Sequence, residues 1–374
     1  MRLAFVLTQD RGGPVDLTVA LARELAGRPG GPSVMIAGPE PVTSAGDVAE
    51  LLRPVRVRSK TDLRGGRELG MILRRWAPDV VHAQDRRAAL AATTVARAGA
   101  PVAATYHGVP DGAAGLWVQE GPLAGRRPTA GSAVVLAADA LVARRVAVTV
   151  APSAAMVGFL RRRLRVPAAK LRVIPNGVAL QAPRPLAGPA RTFISVGTFA
   201  PAKSVGTLVE AFALAARTRP HLRLVLVGDG DERAACERRA AALGIAGRVE
   251  FTGYRTDVPA QLARAEVFVL PSINEHLPLA LIEAMGAGLA CVASRVGAVA
   301  ELLADGTGLL VPPDDVTALA AAMASLASDP DLAPALGRVA AVAARRFSVA
   351  ACADAHQALW RSLLGAGVTS GTGG

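Results

Sequence analysis

The chain has 374 residues, of which 51% are hydrophobic, 19% are charged and only 3% are aromatic. This composition indicates a globular protein long enough for two domains. The few aromatic residues disfavour a nucleic-acid partner, which needs rings to stack on its bases. The three cysteines, Cys236, Cys291 and Cys352, are too widely spaced for a metal cluster and odd in number for a disulfide framework.

The sequence contains no apolar stretch of the roughly 18 residues that a membrane span requires. The longest candidate, residues 133–150, is interrupted by Asp139, Arg144 and Arg145. Residues 1–7 are too short for the core of a signal peptide. We therefore expect a cytoplasmic protein.

Basic residues are concentrated in the first half of the chain. Residues 1–185 hold 26 Lys and Arg against 13 Asp and Glu, whereas residues 186–374 hold 16 against 17. This asymmetry predicts that the first half meets something anionic, either the inner face of a membrane or a phosphate-bearing acceptor. A bias of coding composition is the alternative, because 39 of the 42 basic residues are Arg.

In chain order, the first 185 residues alternate short apolar strands with amphipathic helices. Strands are predicted at residues 2–7, 33–37, 79–83, 101–105 and 146–151, and helices at residues 14–26, 63–76 and 86–98. Such alternation is typical of βαβ units around a parallel sheet. Residues 156–166 have apolar side chains at helical spacing beside four arginines, which suits either an anionic lipid surface or an ordinary helix docked on the sheet.

A second round of alternation follows a linker, which three prolines predict at residues 181–189. Strands are predicted at residues 192–196, 222–227, 249–252, 267–270, 290–293 and 308–311, and helices at residues 317–326, 332–345 and 349–364. The two rounds predict an α/β protein with doubly wound parallel-sheet, Rossmann-like domains at residues 1–185 and 186–347. A helix at residues 348–364 and a disordered tail at residues 365–374 complete the chain.

Two glutamates lie in an otherwise apolar run at residues 271–288, where they are separated by seven residues. Glu275 is predicted in a loop after a buried strand, and Glu283 on the helix that Pro278 begins. Ligands of open α/β sheets bind in the crevice at this edge. The alternative is a loop acid followed by a glutamate on a solvated helix face.

A glycine loop and a lysine occur at residues 195–208, between a predicted strand and a predicted helix. Gly197 lets backbone amides approach an anion at the start of the helix, and Lys203 adds a compact positive charge there. A similar opening occurs in the first half, where Gly12 and Gly13 separate the first strand from the first helix. His107 follows a strand at the carboxyl edge, whereas His82 lies inside a strand and is predicted to be structural.

These segments resemble the motifs of the retaining GT-B glycosyltransferases of glycosyltransferase family 4. The run P-S-I-N-E-H-L-P-L-A-L-I-E resembles the E-x7-E signature of that family, V-I-P-N-G-V its interdomain signature, and T-Y-H-G its T-x-H-G segment. The resemblance is strong at residues 170–315 and loose before them. It implies a GT-B fold in which an acceptor-binding domain and a nucleotide-sugar-binding domain face each other across a cleft. It also implies that the C-terminal helix packs back across both domains.

On the donor side, the resemblance implies that Glu275 and the backbone amides of His276 and Leu277 hold the donor sugar. It implies that Glu283 takes the ribose hydroxyls of the nucleotide, and that Lys203 contacts the diphosphate beside the Gly197 loop.

For the reaction, the resemblance implies His107, Glu275 and Lys203 as the catalytic residues, with Gly12 and Gly13 on the acceptor side. The partners are a nucleotide sugar and a hydroxyl acceptor, and both lipid-linked and polysaccharide acceptors stay open. No metal and no cofactor are expected. The turn at residues 229–231 resembles the D-x-D motif of a metal-dependent fold, but a turn after a buried strand accounts for it.

The chain departs from the family at three points. Thr198 and Ala202 stand where the family commonly supplies an arginine near the phosphate lysine. His276 replaces the glycine after the first glutamate, and Gly297-Ala298 replaces the usual Gly-Gly before the last glutamate region. The expected activity is retaining transfer of a hexose-type sugar to an acceptor hydroxyl. A GT-B nucleotide-sugar epimerase and a non-catalytic nucleotide-sugar-binding partner subunit are the alternatives, and the missing arginine motivates the second.

Overall fold

The computed structural model describes residues 1–42, 46–59, 62–95 and 100–368. The chain divides into two compact units. Unit 1 comprises Met1–Pro110, Thr129–Ala179 and the chain from Phe347 onward, and unit 2 comprises Asp111–Pro128 and Leu180–Arg346. The boundary predicted between residues 185 and 186 stays a prediction, and the units differ from it in assigning Asp111–Pro128 to the second.

Unit 1 is built on a sheet of seven parallel strands in the order β3-β2-β1-β4-β5-β6-β7. The strands are β1 Arg2–Val6, β2 Ser33–Gly38, β3 Leu52–Pro54, β4 Val80–Ala83, β5 Val102–Thr105, β6 Val148–Ala151 and β7 Leu171–Val173. The central strands are buried along their whole length because helices cover both faces of the sheet.

The first five helices of unit 1 are α1 Gly13–Ala26, α2 Leu63–Trp76, α3 Arg86–Val95, α4 Ala130–Arg145 and α5 Ala154–Arg163. They lie on both sides of the sheet, so alternate residues of β1 enter different cores. Leu3 and Phe5 pack with α1, whereas Ala4 and Val6 pack with α2 and α3. Residues 96–98 of the helix predicted at 86–98 lie outside the described residues.

The apolar face of α5 is buried in unit 1. Met156, Phe159 and Leu160 are almost fully buried, and so is Leu164 just beyond the helix, while the arginines of the same segment are exposed. The helix is therefore an amphipathic one docked in the fold. A membrane contact there would have to be made by the arginines alone.

Unit 2 is built on a sheet of six parallel strands in the order β10-β9-β8-β11-β12-β13. The strands are β8 Thr192–Val196, β9 Arg223–Val227, β10 Val249–Gly253, β11 Val267–Leu270, β12 Ala290–Ser294 and β13 Leu309–Val311. The helices are α6 Val205–Ala215, α7 Arg233–Ala242, α8 Val258–Leu262, α9 Leu279–Gly286, α10 Val299–Leu302, α11 Val316–Ser328 and α12 Leu332–Ala344. Aliphatic and aromatic side chains pack around Phe193, Leu208 and Phe212 to form its hydrophobic core.

The last helix, α13 Val349–Val368, packs on α1 within unit 1. Arg28 joins them by donating to a carboxylate oxygen of Asp354 at 2.6 Å. Packing of this helix across both domains stays a prediction, and residues 369–374 of the predicted tail lie outside the described residues. Among the helices that the structure describes, none is long and apolar enough to cross a membrane.

Candidate functional site

Two glycine loops meet at the carboxyl edge of the unit 2 sheet, after β8 and β9. Gly228 has φ +134°, and a Cβ atom there would lie 1.9 Å from the carbonyl oxygen of Gly197. The amide of Gly197 also donates to the carbonyl of Val227 at 2.9 Å. The two loops therefore pack backbone against backbone, which leaves no room for a side chain between them.

Lys203 and Glu275 meet at this edge although 72 residues separate them. The Nζ atom of Lys203 lies 2.6 Å from the Oε1 atom of Glu275, and the hydroxyl of Ser272 donates to the same oxygen at 2.8 Å. Glu275 is only 6% exposed. Burying a carboxylate costs free energy unless a cation and hydrogen bonds compensate it, and Glu275 has both here.

A small cavity opens beside this pair, between the ends of β8, β9 and β11. Gly197, Thr198, Lys203 and Ser272 are among its lining residues. Of the described residues that line it, Lys203 alone is charged. Because Thr198 brings no charge where the family commonly has an arginine, an anion bound here would be neutralised by Lys203 and by backbone amides.

The remaining residues predicted on the donor side occupy the loop after β11 and the helix behind it. Glu275, His276 and Leu277 lie in the loop, where Leu277 is buried and the His276 ring is half-buried. Glu283 is half-buried on α9. Unit 2 thus brings together Gly197, Lys203 and Glu275, and the ligand role of each donor-side residue stays a prediction.

A tryptophan that sequence analysis did not single out holds the Glu275 loop. Trp117 is buried, and its indole Nε1 donates to the backbone oxygen of Glu275 at 2.8 Å. Its ring also lies over the His276 ring, with centroids 5.5 Å apart. No local pattern marks Trp117, because its partner lies 158 residues further along the chain.

In unit 1, His107 lies just beyond β5 and forms a hydrogen bond to a buried glutamine. The His107 Nε2 atom lies 3.2 Å from the Oε1 atom of Gln84, which makes Nε2 the donor. Gly12 and Gly13 are exposed, and Gly12, with φ 96°, precedes the first turn of α1. The catalytic and acceptor-side roles of these residues stay predictions.

Next to His107, the hydroxyl of Tyr106 donates to a carboxylate oxygen of buried Asp139 at 3.0 Å. Burial raises the pKa of Tyr106, and the negative charge of Asp139 raises it further. The phenol therefore stays protonated and serves as a fixed donor. Arg86 approaches the same carboxylate oxygen at 3.6 Å.

His82 is buried within β4, where the sequence predicts a structural histidine. Its Nδ1 atom accepts from the indole of Trp360 at 3.2 Å, so Nε2 carries the proton and donates to Thr105 at 2.9 Å. His356 packs beside it, with ring centroids 5.2 Å apart. Burial lowers the pKa of His82 well below its ordinary value and that of His356 to about 4, so both rings are neutral at pH 7.

In the Asp229–Asp231 turn, the first carboxylate interacts with neighbouring groups of the fold. Asp229 accepts from the amide of Gly230 at 2.8 Å and pairs with Arg233 at 3.2 Å. In the part of the chain that the structure describes, no group of three or more His, Cys, Asp or Glu side chains is arranged to hold a metal ion.

Two family models match successive parts of the chain. Residues 11–182 match the model described as Glycosyltransferase Family 4, and residues 190–329 match the one described as Glycosyl transferases group 1. Among curated proteins, the chain is 32% identical over 276 residues to a glycogen synthase of Mycobacterium tuberculosis. That alignment covers 71% of this chain and 64% of the glycogen synthase. It is 32% identical over 206 residues to a phosphatidyl-myo-inositol mannosyltransferase of Mycolicibacterium smegmatis, covering 52% of this chain and 53% of that protein.

Solved structures share the fold at low sequence identity. HepE of Anabaena in complex with UDP aligns with a TM-score of 0.80 at 18% identity, covering 97% of this chain and all of the other. Sucrose-phosphate synthase of Thermosynechococcus elongatus aligns with a TM-score of 0.81 at 23% identity, covering 98% and 99%. The two parallel-sheet α/β units of this chain therefore have the GT-B glycosyltransferase fold, and each of the two matched regions is related to a glycosyltransferase domain.

Proposed function

We propose that this protein is a retaining glycosyltransferase that moves a hexose-type sugar from a nucleotide-diphosphate-sugar donor to an acceptor hydroxyl. The observation that carries the proposal is the pairing of Lys203 with buried Glu275 beside the small cavity of unit 2 that the Gly197 loop lines. The matched family domains support it. HepE, which shares the fold, has been crystallised with UDP and with UDP-glucose, and this supports a nucleotide sugar as the ligand.

In this proposal the donor binds to groups that the fold already holds in position. The diphosphate takes a charge-assisted contact from Lys203 and backbone amides of the Gly197 loop. Glu275 and the amides of His276 and Leu277 hold the sugar, and Glu283 holds the ribose. Since Lys203 already faces the Glu275 carboxylate, one cation links the phosphate end of the donor to its sugar end.

Retention requires no carboxylate nucleophile from the protein. The acceptor hydroxyl attacks from the side of the leaving diphosphate, and a phosphate oxygen takes the acceptor proton. The protein contributes by positioning the reactants and by stabilising the charge that develops on the leaving group, the latter through Lys203. His107 shapes the reacting face of the sugar. Neither a metal ion nor a cofactor enters this scheme.

We further propose that the acceptor carries an anionic group, because arginines line a cavity at the carboxyl edge of unit 1. The cavity measures about 490 Å³, and its lining includes Arg56, Arg58 and Arg87 together with Arg11, which pairs with Asp10 at 3.2 Å. Arg87 is anchored by donating to the carbonyl of Val57 at 3.2 Å. A planar guanidinium suits a phosphate group. That phosphate belongs either to a lipid headgroup or to a phosphorylated sugar.

Vesicle binding distinguishes these two acceptor classes. For a lipid phosphate, the protein sediments with phosphatidylglycerol vesicles but not with phosphatidylcholine vesicles, and added salt releases it. Replacing Arg56 and Arg58 by Gln then abolishes sedimentation, whereas replacing Arg161 and Arg163 on α5 by Gln, an equal loss of charge, preserves it. No sedimentation at low salt leaves a soluble phosphorylated acceptor.

The donor assignment is tested by separating the two glutamates. Thermal-shift screening with UDP, GDP and ADP first selects the nucleotide, and calorimetry then measures its affinity. Glu283→Gln is expected to lower that affinity about tenfold through loss of a charged hydrogen bond, whereas Glu275→Gln spares it and reduces sugar transfer. Wild-type affinity in both variants would contradict the E-x7-E assignment. Glu210→Gln, on the exposed side of α6, is the matched control.

A further inference from the structure

Trp117 reaches the proposed sugar end of the donor site from the segment Asp111–Pro128, which belongs to unit 2. Its hydrogen bond to the Glu275 backbone is buried and short, at 2.8 Å. Gly297 closes in on the same carbonyl, because a Cβ atom at Gly297 would lie 1.7 Å from it and 2.9 Å from the Trp117 indole nitrogen. The Glu275 carbonyl is therefore held by a donor on a rigid ring, with no space for it to move toward Gly297.

The carbonyl of Glu275 and the amide of His276 belong to one peptide unit. That unit is planar and trans, so its C=O and N–H bonds point in opposite directions. Fixing the Glu275 oxygen against Trp117 therefore also fixes the direction of the His276 N–H. An indole N–H is a donor only and sits on a side chain with two rotatable bonds, so it fixes this direction at little entropic cost.

We propose that Trp117 is a positioning residue of the donor site, which aims the backbone amide of His276 at the transferred sugar. The inference rests on the proposed function for the identity of the ligand, but not for the contact itself. The His276 ring, tilted by 31° against the Trp117 ring, adds a second restraint in a chain that has His where the family commonly has a flexible glycine. Trp117 thus restrains the Glu275 loop through both a hydrogen bond and a ring contact.

Hydrogen exchange tests the contact without a ligand. In the wild type, the indole proton of Trp117 is expected to exchange at least about tenfold more slowly than that of Trp76, which lies over the guanidinium of Arg2 at 4.8 Å. Trp117→Phe keeps the ring and removes the donor, so the amides of His276 and Leu277 should exchange about tenfold faster. The matched Trp76→Phe variant should leave them unchanged. Equal exchange of the two indole protons overturns the proposal.

Binding then tests the consequence, with UDP and UDP-glucose as probes beside GDP and GDP-mannose. For the pair that binds, Trp117→Phe is expected to reduce the affinity of the nucleotide sugar about fivefold and to leave that of the nucleoside diphosphate unchanged. An equal loss for both, or no loss for either, overturns the positioning role. If the wild type binds none of the four ligands, the proposed function is wrong for these donors. The exchange rate of the Trp117 indole proton then decides by itself whether the contact exists.

Discussion

The two units share an architecture but finish the carboxyl edges of their sheets differently. In unit 2, glycine loops pack backbone to backbone, and the Lys203–Glu275 pair stands beside them. In unit 1, the corresponding edge carries polar side chains that bond to one another, as Tyr106 does to Asp139 and His107 to Gln84. An edge lined by backbone offers amides to an anion whatever its side chains are. At an edge lined by side chains, the hydrogen bonds depend on which residues this sequence places there.

The two units also differ in the side chains that their cores enclose. The core of unit 1 encloses the rings of His82 and His356 beside Trp360, whereas in unit 2 His221 is exposed and His276 is half-buried. Rigid glycine packing should make unit 2 sensitive to added volume, and buried imidazoles should make unit 1 sensitive to acid.

Added volume at a glycine should give the largest difference between the units. Gly228→Ala places a Cβ 1.9 Å from the Gly197 carbonyl at φ +134°, so the loops must separate, and we expect a loss of more than about 3 kcal/mol in the free energy of unfolding. Gly12→Ala in unit 1 also has a positive φ of 96° but meets no atom within 4 Å, so the loss should stay near 1–2 kcal/mol. Urea denaturation followed by circular dichroism measures both.

Gly247→Ala is the control for this pair, because that glycine has neither a positive φ nor a neighbour within 4 Å of the added atom. It should be neutral or slightly stabilising. If Gly228→Ala proved as mild as Gly12→Ala, the close packing of the glycine loops would not constrain unit 2.

Removing a lysine separates a binding role from a structural one. Lys203→Ala should reduce nucleoside diphosphate affinity about ten- to hundredfold through loss of a charge-assisted contact, and it also leaves the buried Glu275 carboxylate without its cation. Lys170→Ala in unit 1 removes a lysine that donates to the carbonyls of Arg144 and Val146, and it should leave that affinity unchanged. Calorimetry measures both; equal affinities would remove Lys203 from the site.

Much of the fold could be anticipated from the sequence. The bounds of β8 and β11 match the predicted residues, because both are short apolar runs between turns. By contrast, β3 and β7 escaped prediction, since each has three residues with a single buried one and reads as loop. The helix α7, RAACERRAAA, was also missed, because few apolar residues mark a face.

For the site, local patterns identified Gly197, Lys203 and Glu275, which follow strands in their own segments. Those patterns could not show that Lys203 and Glu275 contact each other, or that Trp117 bonds to the Glu275 loop. Both contacts join residues far apart in the sequence, and only the folded chain of unit 2 brings them together.

Acid should destabilise unit 1 before unit 2. Burial holds the pKa of His356 at about 4, against about 6.5 in an unfolded chain, so between these values the unfolded state binds more protons. Stability is then complete above about pH 6.5 and is lost as pH falls, by about 2 kcal/mol at pH 5 from His356 alone. His82, whose pKa is also lowered by burial, adds to the loss. Calorimetry at pH 7.5 and pH 5 detects it.

The variant His356→Gln should flatten this pH dependence, because it removes one of the two groups that take up protons on unfolding. His221→Gln is the control, since that histidine is exposed in unit 2. A pH dependence that is unchanged in His356→Gln would place the acid sensitivity elsewhere in the chain.

The smallest difference concerns ion pairs of the same type in the two units. Arg28 lies between α1 and α13, where it bonds to Glu24 and Asp354 and to the carbonyl of Ala350, and its side chain is largely covered. Arg28→Gln should lower the free energy of unfolding by about 1–2 kcal/mol, because one side chain anchors two helices. Arg239 in unit 2 pairs with Glu210 in solvent, so Arg239→Gln should cost less than about 0.5 kcal/mol. Urea denaturation at low and high salt compares the two; equal losses would mean that the covered arginine network adds nothing to the attachment of α13.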